Sequence, residues 1–363
     1  MYDPKTHFLN LHELVTAARI NLSQNAWDYL YGATESETSV RRNRQALDSL
    51  ALRPRVLTDV SHVDPSTTFF GRKVRIPVAF APVGSLETFE EGGGASVAKA
   101  AAEFGGISIH SSVSQPGLEK TAEAAPDGYR IFQLYVRGDD AYVDDFARRA
   151  IANGYRLFVI TVDVQHYSRR ERDLANRWVK RWVRNRSGME HQMSFDWDKV
   201  KRFKDKHDIP LGIKGIAHPD DAARAVELGC EIVWVSNHGG RQLDHMEGTV
   251  AVLPEMVRAV DGRARIIIDG GFQRGTDVIK ALCLGADLVA MGRLMVCALA
   301  AAGKEGVLRA FELLEDELTR DLGLMGINSV AELNPSFVRP VAPVASPDLF
   351  GGFPLLRLPE QRY

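Results

Sequence analysis

"EIVWVSNHGGRQLD", residues 231–244, opens as an uninterrupted apolar run and closes on an imidazole, two glycines and a guanidinium. A strand with one wet face alternates apolar and polar residues, so the continuous run predicts burial on both faces, as in a parallel sheet covered by helices. The polar group after it has no use in a strand. His238 and Arg241 stand where such a strand would open onto a cavity. Outward from this stretch the same unit recurs. "IPVAFAP" (76–82), "GISIHS" (106–111), "RIFQLYV" (130–136) and "LFVITVD" (157–163) precede it. "PLGIKG" (210–215) lies just before it, and "ARIIIDGG" (264–271) and "DLVAMGR" (287–293) follow.

Between the runs lie amphipathic stretches such as "GGASVAKAAAEFG" (93–105), "AYVDDFARRAIANG" (141–154), "HPDDAARAVELG" (218–229), "VLPEMVRAV" (252–260) and "GTDVIKALCLG" (275–285). A closing helix is expected from about Gly303 to Leu322. Eight successive strand–helix units predict an α/β fold of the (β/α)8 (TIM) barrel type. A doubly wound open sheet is the competing layout, but no G-x-G-x-x-G follows the first strand. Every strand ends in a polar or glycine-rich group, and in a parallel barrel all those ends share one face.

Residues 1–70 read as a helical prelude. "LNLHELVTAARINL" (9–22) and "NAWDYLYGA" (25–33) have helical spacing, and "SETSVRRNRQALDSL" (36–50) starts on Ser36, a good cap residue. The expectation is a single domain over 1–363, made of this segment, a barrel over 71–330 and a proline-rich tail over 331–363. The tail is apolar enough to pack rather than float.

A formal charge of −2, with 45% hydrophobic and 25% charged residues, describes a globular chain with no electrostatic reason to bind nucleic acid. Cys230, Cys283 and Cys297 lie in apolar settings without metal-ligand spacing, so buried thiols in a reducing compartment and no metal are expected. The N-terminus has no basic end followed by an apolar stretch, and no uncharged apolar run approaches a membrane span. A cytoplasmic location follows as the expectation.

"SNHGGRQLD" (236–244) resembles the signature of the FMN-dependent α-hydroxy acid oxidases and dehydrogenases, the family of glycolate oxidase, flavocytochrome L-lactate dehydrogenase and mandelate dehydrogenase. "FQLYV" (132–136), "TVD" (161–163), "RRERD" (169–173), "IKG" (213–215), "DGGFQRGTDVIKALCLGA" (269–286) and "MGR" (291–293) match in order, over residues 26 to 335. The resemblance implies transfer of two electrons from a 2-hydroxy acid to N5 of FMN, giving the 2-oxo acid. It makes His238 the base and Asp163 the carboxylate that orients it. Arg241 and Arg170 would hold the substrate carboxylate, with Arg169 and Arg172 as rivals of Arg170. Tyr29 and Tyr135 would be the two phenols at the substrate, with Tyr31 a rival of Tyr29. Lys214 would stand near N1 and O2 of the flavin. Asp269, Gly270, Gly271, Gln273, Gly292 and Arg293 fall at the phosphate end; Ser111, Gln133, Thr161 and Ser236 at the ring and ribityl chain. Pro82, Val83 and Gly84 would run beside N5.

Three departures stand out. Gln273 replaces a second arginine common in relatives. Val113 replaces the bulky aromatic of glycolate oxidases, which predicts a roomier pocket. The lid after strand four, 169 to about 194, is short and carries eight basic residues between Arg169 and Arg186, with Trp178 and Trp182 at i,i+4 spacing. A solvated lid pinning its tryptophans to the barrel and peripheral contact of 169–186 with an anionic surface, membrane or acceptor protein, are its two readings. Oxygen, a quinone or a carrier protein could reoxidise the flavin, and the resemblance implies a homotetramer. Two other functions compete. An FMN isomerase of the type 2 isopentenyl diphosphate kind would keep the phosphate glycines without needing His238, Arg241 and Arg170. A binding protein that retains FMN without turnover is the third.

Overall fold

The computed structural model describes residues 4–178, 188–344 and 346–357. Eight parallel strands close into a barrel in sequence order. They are β1 (Val78–Phe80), β2 (Ile107–Ser111), β3 (Tyr129–Leu134), β4 (Leu157–Thr161), β5 (Leu211–Ile216), β6 (Ile232–Val235), β7 (Arg265–Ile268) and β8 (Leu288–Met291). All eight expected strands form, because alternate residues of each run have separate apolar destinations. Ile107, Ile109, Ile131, Leu157, Val159, Trp234 and Ile267 fill the barrel interior. Phe132, Phe158, Ile160, Val233, Val235 and Ile268 point outward into the helix layer. Burying each such side chain stabilises the fold by roughly 1.5–3 kcal/mol, so the sheet has no tolerance for a polar face.

Eight helices cover the barrel: α1 (Gly93–Phe104), α2 (Leu118–Ala124), α3 (Asp140–Ala152), α4 (Trp197–Lys206), α5 (Pro219–Glu227), α6 (Thr249–Val260), α7 (Gly275–Cys283) and α8 (Arg293–Leu324). The sequence reading missed α2 and α4. In α4 only Val200 and Phe203 are buried, too few for an apolar stripe to be visible. The closing helix begins ten residues earlier than expected. It starts at Arg293 and is broken at Ala302 and Gly303, where φ reaches 59°. Its first half is apolar all round, as a fully buried helix is, so no amphipathic stripe marks it in the sequence.

Among the described residues four helices precede the barrel, the single turn Pro4–His7 and then Leu11–Asn21, Gln24–Tyr31 and Thr38–Asp48. The expected Ser36 cap is a correction: the N-cap is Glu37, in left-handed conformation and without a side-chain cap bond. The Ser36 hydroxyl donates instead to Asp244 Oδ2 (2.7 Å), whose Oδ1 accepts the Ser39 amide (2.8 Å). Asp244, the last residue of the opening motif, thus ties the prelude to the β6 loop. A hairpin, Thr67–Phe69 with Arg72–Val74, plugs the other end of the barrel, and its Phe69 and Val74 join the interior cluster. In the tail, Val338–Pro340 pairs antiparallel with Leu50–Leu52, and Leu349, Phe350 and Phe353 are buried. Cys230, Cys283 and Cys297 are free and buried. Among the described residues no helix is long and apolar enough to cross a membrane. Trp178 packs against Tyr29, ring centroids 5.2 Å apart, whereas Trp182 and the second half of the basic segment, from residue 179 on, fall outside the described residues.

Candidate active site

The C-terminal ends of the strands surround an open-mouthed cavity of about 1330 Å³. Its wall contains Tyr29, Pro82, Val83, Gly84, Tyr135, Arg170, Lys214, His238 and Arg241. Asp269, Gly270, Gly271, Gln273, Gly292 and Arg293 complete the expected set there. Asp163, Ser111, Gln133, Thr161 and Ser236 stand behind that wall at buried or largely buried strand ends.

At the centre, His238 Nδ1 lies 2.9 Å from Asp163 Oδ1. A carboxylate can only accept, so Nδ1 carries the proton and Nε2 is left as the basic nitrogen. Nε2 is 3.4 Å from the Tyr135 hydroxyl. Burial pushes His238 below its ordinary value, against the pull of Asp163, and Lys214 adds to the lowering. Burial alone would raise Asp163, but His238 and Lys214 outweigh it and hold the carboxyl below its usual range. Burial raises Tyr135, which stays a protonated phenol. Two backbone devices build this geometry. His238 itself has φ 56°, in the strained left-handed region. On β5, the register shifts at Gly215, whose φ is 114° and where a Cβ would stand 2.7 Å from Asp163 Cγ. The bulge therefore needs glycine to admit the carboxylate.

Four guanidinia line the cavity, those of Arg137, Arg170, Arg241 and Arg293, and the last three have no ion pair among the described residues. Arg170 is buried, with an unpartnered Nε, and lies over the Tyr167 ring at 5.0 Å. Its rivals are occupied: Arg169 pairs with Glu171, and Arg172 with Glu37. Arg241 Nη1 donates to the carbonyls of Tyr29 and Gly32, both at 2.7 Å. Arg293 donates to the carbonyls of Leu30, Gly239 and Gly32 at 2.8–3.1 Å. Both therefore meet the C-terminal end of helix Gln24–Tyr31, where backbone carbonyls concentrate negative potential. That does not suffice. Burial, reinforced by Arg241, pushes Arg293 down to about 9, the mark of a cation waiting for an anion. Tyr29 is buried in the wall, whereas the Tyr31 hydroxyl is turned to Asp348 (3.2 Å).

The residues at the expected flavin positions fit such a group. Gln133 Nε2 is committed to Thr161 Oγ1 (2.8 Å), which leaves its Oε1 as a buried acceptor with no partner. Lys214 Nζ is fixed by Ser236 Oγ (2.9 Å) and Asp269 Oδ2 (3.2 Å). Asp269 also accepts from Trp234 Nε1 (3.0 Å) and Ser236 Oγ (2.7 Å), so its side chain anchors Lys214. Gly270 and Gly271 have φ of 109° and 86°, and Arg293 begins a long helix, the setting in which backbone amides cradle phosphate. Gln273 departs from its expected role. Its Nε2 donates to the Leu349 carbonyl and its Oε1 accepts the Gly352 amide (2.9 Å), so the carboxamide ties down the tail.

The sequence reading missed several wall residues: Phe89, Val164, Tyr167, Met189, Gln242 and Leu349. Tyr167 had a usable signal, lying between Asp163 and Arg170 on one loop. Leu349 had only the glycine pair that follows it.

The family model described as FMN-dependent dehydrogenase matches residues 18–340. An L-lactate oxidase of Nostoc sp. is 34% identical, over 91% of this chain and 98% of the relative. A glycolate oxidase of Spinacia oleracea is also 34% identical, over 91% and 95%. A crystal structure of mandelate oxidase with benzoyl-formic acid superposes with a TM-score of 0.86 at 36% identity, over 93% of this chain and 100% of that one.

Proposed function

Because the chain belongs to the FMN-dependent dehydrogenase family and oxidises a 2-hydroxy acid to the 2-oxo acid with FMN as cofactor, we propose that its substrate is an L-2-hydroxy acid deprotonated by His238. When bound, FMN supplies the sink for the two electrons that leave the substrate. The chain supplies the rest. Arg170 and Arg241 take the substrate carboxylate with planar forks, Tyr29 assists them, and Tyr135 donates a hydrogen bond at the hydroxyl. His238 Nε2, neutral because of its burial, accepts the proton, and Asp163 stabilises the imidazolium that results.

Lys214 would hold its charge against the flavin. Gly270, Gly271, Gly292 and Arg293 would receive the phosphate. Ser111, Gln133, Thr161 and Ser236 would meet the ring and ribityl chain beside Pro82–Gly84. The observation that carries this reading is the convergence, on one wall, of the His238–Asp163 pair with Arg170 and Arg241, which no other role in the fold requires. An isomerase would have no use for that set.

Val113 and Val164 leave room beyond glycolate, so we assign side chains larger than a hydrogen at C2. The relatives named are oxidases, which favours oxygen over a quinone or carrier protein as the final acceptor. A homotetramer, a cytoplasmic location and contact of 169–186 with an anionic surface complete the proposal. Light scattering, fractionation and vesicle sedimentation test these three in turn. The central experiment is anaerobic mixing of the yellow protein with L- and D-2-hydroxy acids, followed by admission of oxygen. L-selective bleaching and recolouring with oxygen are expected; a flavin band that no 2-hydroxy acid bleaches would refute the reading.

A further inference from the structure

A second cavity, about 980 Å³ with its open mouth, lies at the end of the barrel remote from His238. It is bounded by the residues that lead into β3 and β4 and by Arg72 of the hairpin plug. Three guanidinia converge there, Arg72, Arg130 and Arg156. Arg130 is buried, only 4% exposed. Its two terminal nitrogens donate to backbone carbonyls alone, those of Ala125, Pro126, Gly128 and Asn153. Its Nε is buried with no partner. Arg72 likewise donates to a carbonyl, that of Asp127 at 2.7 Å. Among the described residues none of the three is ion-paired, and Asp127 is the one acid in the wall.

Carbonyls satisfy hydrogen bonds but bring no net charge, so three positive charges face one cavity against a single exposed carboxylate. Burial and the neighbouring Arg72 and Arg156 all work against the Arg130 charge. The three forks come from separate elements and directions. A flat monocarboxylate engages one fork, whereas a phosphate group offers three oxygens and close to two negative charges.

We propose that this cavity binds a phosphate-class dianion, remote from the reaction and unconnected with the cofactor's own phosphate cradle. Its ligand would bridge the hairpin plug and the starts of β3 and β4, linking occupancy to fold stability. The test is calorimetric titration of the FMN-loaded protein with inorganic phosphate, pyrophosphate and glycerol phosphate, with ionic strength held by sodium chloride. Selective binding of glycerol phosphate would mark an ester as the ligand; selective binding of the inorganic ions would mark free phosphate. Saturable binding is expected, weakened at least tenfold by Arg72→Gln combined with Arg156→Gln. The first of these side chains is half-buried and the second exposed, so turnover of 2-hydroxy acids should be unchanged. Arg170, Arg241 and Arg293 remain in that variant. Equal affinity in both proteins, or no saturable binding over the chloride control, would overturn the proposal. A second measurement does not depend on the variant: pyrophosphate should protect Arg156 from phenylglyoxal, read by mass spectrometry, and equal labelling with and without it would also overturn the assignment.

Discussion

Replacing Asp163 by asparagine keeps the shape of the buried side chain and removes its charge. The carboxylate lies 2.9 Å from His238 Nδ1, both side chains are largely buried, and the space it occupies exists because position 215 has no Cβ. The charges of an imidazolium and a carboxylate so placed are about 4 Å apart between centres. In an effective dielectric near 20 that is worth about 4 kcal/mol. This attraction is absent while His238 is neutral and complete once it has taken the proton, so it lowers the barrier rather than tightening substrate binding. Its loss corresponds to a fall of about three orders of magnitude in the flavin reduction rate. The carboxamide can also donate to Nδ1, which would place the proton on Nε2 and remove the base. Anaerobic stopped-flow at saturating substrate measures the rate directly, and near-wild-type Tm and KM are expected. A reduction rate within tenfold of wild type would show that the pair does not do this work.

Four further outcomes follow from the same geometry. Arg170→Met should lower kcat/KM about ten- to a hundredfold, since each charge-assisted bond contributes about 1.5–3 kcal/mol; unchanged kinetics would free Arg170 from the substrate. Because His238 acts deprotonated and burial lowers its pKa, kcat/KM should be flat above pH 6.5 and fall tenfold per unit below a lower inflection, whereas an inflection above 7 would contradict this. Val113→Phe should reduce kcat/KM for mandelate-sized acids about tenfold relative to glycolate, because the wall loses the space the valine leaves; equal ratios would argue against that wall as the specificity surface. His110, buried with neither ring nitrogen partnered and pushed by burial to about 4, binds its proton in the unfolded chain from near 6.5 downward. Stability should therefore fall by about 3 kcal/mol as pH drops from 6.5 to 4, and His110→Leu should move acid unfolding to lower pH by circular dichroism; an unmoved midpoint would refute this.

The barrel was legible because its strands are buried on both faces, and a run such as "EIVWV" has no other stable use. His238, Arg241 and Lys214 were legible because a charged group directly after such a run must face a mouth or be wasted. Resolution failed where partners are distant in the chain. Ser36 has the right chemistry for a cap, yet Asp244, 208 residues away, claims its hydroxyl. Tyr29 and Tyr31 are equivalent in sequence. Only the packing of Asp348 from the tail and of Trp178 from the lid separates them. Gln273 shows the same limit: a polar residue at the phosphate end reads as a ligand until the tail carbonyl of Leu349 is in place.

The last turn of helix Gln24–Tyr31 sets a lower bound on any transplantable catalytic unit. Residues 29, 30 and 32 lend their carbonyls to Arg241 and Arg293, so an excised barrel beginning at β1 would leave two interior cations facing vacuum or water in place of oriented peptide dipoles. Grafting this chemistry onto another eightfold scaffold therefore means carrying the prelude along, as a dielectric component and not as decoration.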